Sequence, residues 1–306
     1  MQMAFIIMQQ TLVMALIMAA GYILFKKGKI TLEGSRVLAN LLVFLIIPAK
    51  MIDSFCVEYS AEKLVMLGQS FLLSIVTMGV ALGMSYLTLR KNNIELFAST
   101  FSNAGFIGIP LVTAAIGGHA VFYLGALLVC FNLLQWIWGS AVMKKEKVVL
   151  SAKAFLGNPF LYAMVIGLFL FLTGLGTKLP VVVSSALKGV ADLNSPVSML
   201  VLGVYLARTK LLELFTKPRL YLLSVIRMWL IPLVTLAVFY LIPIPNEIRM
   251  TLLISAATPV GANVAVYAQM YNADYPHACQ TVALTTILSI VMMPPFIMLA
   301  TRVLGM

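Results

Sequence analysis

Charge is what this sequence has least of. Of its 306 residues only 10% are Asp, Glu, Lys or Arg and 62% are hydrophobic, where a soluble domain carries roughly 25% charged residues. A water-soluble fold is excluded. Histidine and cysteine are scarcer still, with two and three copies. Cys56, Cys130 and Cys279 lie in or beside apolar stretches with no paired spacing, and they read as small buried hydrophobes rather than a disulfide framework or a metal site. His119 and His277 fall in expected loops, which leaves no histidine cluster for a catalytic metal. There is no HExxH, no GxSxG and no pair of buried carboxylates, so neither an enzyme nor a cofactor is expected. Gly-X-Y repeats, heptads and polar low-complexity tracts are also missing.

What is present is a series of apolar runs, each near the length of about 20 residues needed to cross a hydrocarbon core about 30 Å thick. Ten spans are expected, near 4–25, 36–55, 64–89, 95–117, 120–143, 157–176, 190–207, 220–242, 249–271 and 279–301. Barrel strands would alternate apolar and polar residues. Runs such as Leu41 to Pro48 do not. The first run has no Lys or Arg before it and no small-residue cleavage site after it, and so reads as a span rather than a secretion signal.

The formal net charge of +11 is distributed by topology. With the N-terminus outside, the expected cytoplasmic loops hold Lys26, Lys27, Lys29, Arg36, Arg90, Lys91, Lys144, Lys145, Lys147, Lys153, Arg208, Lys210, Lys217 and Arg219. The external side holds Lys63, Lys178, Lys188, Arg249 and Arg302. Fourteen basic residues against five is a positive-inside pattern, and an even span count leaves both termini outside a cell (plasma) membrane. The basic charge is accounted for by the lipid bilayer, so no nucleic-acid partner is inferred.

The polar break from Lys144 to Ala154 divides the spans five and five. With an odd number of spans in each half, a second copy of the same fold, 157–306 after 1–143, would sit inverted. The fourth span carries Ser102-Asn103-Ala104-Gly105-Phe106-Ile107-Gly108-Ile109-Pro110, and the ninth Thr258-Pro259-Val260-Gly261-Ala262-Asn263. Proline removes an N–H and glycine frees the backbone, so each of these spans is expected to break into half-helices. Irregular backbone at membrane depth is tolerated where it is buried in protein or lines a wet cavity. Asn103, Ala104, Gly105, Gly108, Pro110, Pro259, Gly261, Ala262 and Asn263 are therefore the expected substrate site, with helix N-termini whose field favours an anion. Pro48, Pro196, Pro232 and Pro294-Pro295 read as simple kinks.

These two motifs resemble the auxin efflux carrier family, which includes plant auxin exporters and bacterial malate and malonate permeases. Ala268-Gln269-Met270-Tyr271-Asn272-Ala273-Asp274, Asn40 with Pro48, and Pro196 with Gly203 extend the resemblance over the whole chain. It implies an all-α membrane protein with a ten-helix inverted repeat of the bile-acid-symporter-like kind, its broken fourth and ninth spans crossing near Pro110 and Pro259. Spans one, two, six and seven would form a scaffold and the other six a moving domain. It also implies a homodimer in the family's manner. The short loop between spans five and six resembles the compact prokaryotic permeases.

Four further residues could meet a substrate. All ten acidic residues fall in loops or at span ends, which leaves Lys50 and Arg227 as the ionisable groups within spans. Lys50 either snorkels to the interface or contacts an entering carboxylate. Arg227 lies about seven residues into span eight, roughly 10 Å along a helix, and is either structurally paired or an anion contact. Asn132 and Gln135, three apart on one helical face, either line the cavity or join helices, with Trp136 and Trp138 as interfacial anchors. The expected function is secondary transport of a small organic anion by alternating access. The competing reading is a membrane sensor that keeps the carrier fold without flux.

Overall fold

A computed structural model describes residues 2–147 and 159–306. Lys153 and the start of the sixth expected span lie outside the described residues. Every regular element described is helical: α1 (Gln2–Lys26), α2 (Leu32–Phe55), α3 (Ala61–Leu89), α4 (Asn93–Thr100), α5 (Ala104–Ala115), α6 (Gly118–Lys144), α7 (Pro159–Thr173), α8 (Val181–Ala191), α9 (Asn194–Arg208), α10 (Pro218–Leu241), α11 (Asn246–Ala256), α12 (Asn263–Met270) and α13 (Tyr275–Leu304). Seven helical stretches are long and apolar enough to cross a membrane: α1, α2, α3, α6, α8 with α9, α10 and α13. The other three expected spans fall on shorter helices. The fourth is α4 and α5, the ninth is α11 and α12, and the sixth is the 15-residue α7.

Large apolar side chains such as Leu16, Ile75, Leu87, Phe169 and Leu241 are exposed along these helices. A soluble monomer would not present so many, so their solvent is lipid. The chain is a multi-pass membrane protein.

Local sequence explains where the helices deform. Wide π-helical turns occupy Leu42–Ile46, Ala104–Gly108 and Ile226–Leu230, and each ends two residues before a proline: Pro48, Pro110 and Pro232. A proline ring collides with the carbonyl one turn back, and a wider turn moves that carbonyl away. Pro48 and Pro232 thus widen the turn that precedes them. A fourth π-turn, Gln135–Gly139, follows no such rule.

Helix α1 lies along α9, and the second half of α2 packs on α7 and α8. Close approach of α1 and α9 depends on glycine. A Cβ on Gly203 would sit 2.1 Å from the Met18 carbonyl oxygen, and one on Gly21 would sit 2.5 Å from that of Leu200. Such small-residue contacts let backbones approach where lipid supplies no hydrophobic drive between helices.

Candidate functional site

Helix α4 stops at Thr100 because Phe101 and Ser102 leave helical geometry, and α11 stops at Ala256 ahead of Pro259. The two stretches after these helices meet in a single antiparallel bridge, with Ser102 opposite Val260. The Asn103 amide donates to the Pro259 carbonyl at 2.9 Å, and the Gly261 amide donates to the Phe101 carbonyl at 2.9 Å. Backbone groups freed by each break are thus satisfied by the other. Glycine at 261 permits this approach, because a Cβ there would crowd the Ser102 and Phe101 carbonyl oxygens at 3.1 and 3.2 Å. The Val260 amide donates to Thr285 Oγ1 at 3.2 Å, which attaches the crossing to α13.

Beside this crossing is a cavity of about 260 Å³, close to the small end of ligand sites. Asn103, Gly105, Gly261, Ala262 and Asn263 line it, and so do Asn132 and Gln135. Ala104, Gly108, Pro110 and Pro259 do not. They are buried behind the lining, and Gly108 is where α5 meets α11, a Cβ there falling 3.1 Å from Ser255 Oγ.

The two cations also lie elsewhere. Lys50 is 3.9 Å from Asp192, a long ion pair away from the cavity. Arg227 is 1% exposed and does not line the cavity. Its guanidinium donates to three backbone carbonyls, those of Ser99 (2.9 Å), Thr258 (3.3 Å) and Ala256. Of the two readings open for each residue, these contacts favour the structural one. Glu95 keeps its expected place at a span end. Glu95 is fully buried in the first turn of α4, where Arg219 Nε bridges both carboxylate oxygens at 2.6 and 2.8 Å and His277 Nε2 lies 3.2 Å away. His277 is in the first turn of α13 rather than in a loop. Among the described residues no group of His, Cys, Asp and Glu could hold a metal ion.

Polar groups in the cavity are uncharged. Asn263 Nδ2 donates to Gln135 Oε1 at 2.9 Å, and Asn132 Nδ2 donates to the Leu128 carbonyl at 2.8 Å within its own helix. Asn103 Nδ2, Ser102 Oγ and the Tyr267 hydroxyl are buried with no protein partner. The first amides of α5, at Ala104 and Gly105, have no carbonyl one turn back within the helix. The carbonyls of Gly105 and Phe106, in contrast, accept from Asn194 Nδ2 and Ser198 Oγ of α9 at 3.5 and 3.2 Å. Aromatic rings complete the walls, among them Phe44, Phe131, Trp136, Tyr205 and Tyr267.

A family model described as "Membrane transport protein" matches residues 6–154 and again 145–297. The chain belongs to the auxin efflux carrier family of membrane transporters. Comparison with individual curated proteins gives no match. Membership makes transport, not catalysis, the family's business. The cavity also brings in Asn40, which the sequence marked only through the resemblance, and Tyr205 and Tyr267, which it did not single out. Tyr267 had a signal, since it follows Asn263 by one helical turn and so shares its face. Trp136, read as an interfacial anchor, lines the cavity too. Tyr205 and Phe44 had none, because their helices approach the crossing only through packing.

Proposed function

We propose that this protein is a secondary carrier for a small organic anion, working by alternating access in a cell membrane with both termini outside. The observation that carries this reading is the cavity beside the crossing. It combines an unpartnered buried Asn103 amide with the start of α5, whose N-terminal end is equivalent to roughly half a positive charge. A carboxylate satisfies both. The surrounding apolar rings and the lack of a cationic side chain among the lining residues favour a monocarboxylate with an apolar body over a dicarboxylate such as malate or malonate. A dianion would leave its second charge without a partner.

The proposed mechanism is of the elevator type. The ten spans form two inverted sets of five, with α4/α5 and α11/α12 as the broken crossing spans. Spans one, two, six and seven form the scaffold, supported by the packing of α1 on α9 and of α2 on α7 and α8, and association as a homodimer would use that scaffold. Asn194 and Ser198 of α9 would then hold the moving crossing in one of its two positions. Uptake of labelled mono- and dicarboxylates into proteoliposomes, with imposed sodium, proton or voltage gradients, tests the reading. Binding without flux would identify the sensor instead, and preferential binding of a cation would overturn the anion site.

A further inference from the structure

A helix that ends inside a membrane leaves its last carbonyls without partners, at the negative end of its dipole. Two such ends meet here, at Thr100 of α4 and Ala256 of α11. No water reaches the hydrocarbon region to satisfy them, and each unpaired group is costly. Arg227, on the π-turn of α10, supplies the missing donors. Its Nη1 takes Ser99, its Nη2 takes Ala256 and its Nε takes Thr258, so one side chain binds carbonyls from both interrupted stretches. Among the described residues it forms no ion pair with a carboxylate. Its charge is balanced by carbonyl dipoles alone.

Carbonyl oxygens from several segments converging on one positive charge make the donor set of a hard-cation site. We infer that Arg227 is the tethered cation that joins the two interrupted stretches, so that the crossing is assembled without a dissolved cation. Arg227 is then a positioning residue. A guanidinium is permanently charged and planar, and it forks to several acceptors at once. Lysine replaces the charge but not the fork.

The test is thermal unfolding of the purified protein in detergent. The wild type should melt at the same temperature in sodium, potassium and choline chloride of equal concentration. Arg227→Met, neutral and of similar length, should melt about 10 °C lower, with Arg227→Lys between the two. Arg227→Ala should regain stability in tens of millimolar guanidinium chloride, below denaturing levels, and not in equal potassium chloride. Wild type should show no such gain. If Arg227→Ala does not fold, the comparison of the Met and Lys variants decides. Three results would each overturn the inference: a wild-type melting temperature raised by sodium over potassium, Arg227→Met as stable as Arg227→Lys, or no guanidinium rescue in a folded Arg227→Ala.

Discussion

Asn263 donates its side-chain amide to Gln135 Oε1 at 2.9 Å, joining the first turn of α12 to the π-turn of α6 at the cavity wall. The pair is separated by 128 residues in sequence, and Gln135 is only 4% exposed. Removing one partner leaves the other buried and unsatisfied, at a cost of about 1–3 kcal/mol. Asn263→Ala and Gln135→Ala should each lower stability by that order, and the double variant should cost clearly less than the two together. A double-mutant cycle on unfolding checks it, with strict additivity counting against a working bond.

Asn103 is expected to behave differently. Its Nδ2 has no protein partner, so Asn103→Ala removes no hydrogen bond at that donor. The melting temperature should change by no more than about 2 °C. Affinity for a carboxylate should fall about 10- to 100-fold, as for a hydrogen bond to a charged acceptor. Titration calorimetry and a melting curve on the same sample separate the two effects.

Gly261 tests the crossing itself. Gly261→Ala forces a methyl group against two carbonyl oxygens 3.1 and 3.2 Å away, and overpacking of this kind costs about 1–3 kcal/mol. Gly68→Ala in α3 is the control, because a Cβ there meets nothing within 4 Å. It should be neutral or stabilising, by up to about 1 kcal/mol.

Arg227 lies behind the cavity, and this sets an expectation about selectivity. Arg227→Gln should lower stability while leaving the affinity ratio of a matched dianion and monoanion unchanged. A ratio that falls selectively for the dianion would put the guanidinium in contact with substrate, contrary to its three carbonyl partners.

Orientation in the membrane follows from the basic loops. Single cysteines placed near Lys26, Arg90, Lys144 and Arg208, in a variant lacking the native three, should react with an impermeant reagent from the inner face alone. Labelling near Lys144 in intact cells would reverse the assignment.

The sequence alone determined that this is a helical membrane protein, because apolar runs near the length of the hydrocarbon core admit few other outcomes once every backbone group must be satisfied internally. It also marked two stretches as candidate interruptions. Glycine and proline act through their own backbone dihedrals and a missing N–H, which are local properties, and α11 ends ahead of Pro259 accordingly, whereas α4 ends at Thr100 where neither glycine nor proline follows directly. Asn103, Asn263, Asn132 and Gln135 were legible as polar exceptions in apolar spans. The tertiary structure decided what each polar group faces. From the sequence Arg227 was equally an anion contact or a structural partner, and only the approach of Ser99, Ala256 and Thr258, 29 to 128 residues away, makes it a clamp on carbonyls. Tyr205, Tyr267 and Phe44 became cavity walls for the same reason. Helical period states which residues share a face, but which face meets which helix depends on close packing such as that of Gly203 on Met18, and that is a property of the whole chain rather than of any segment.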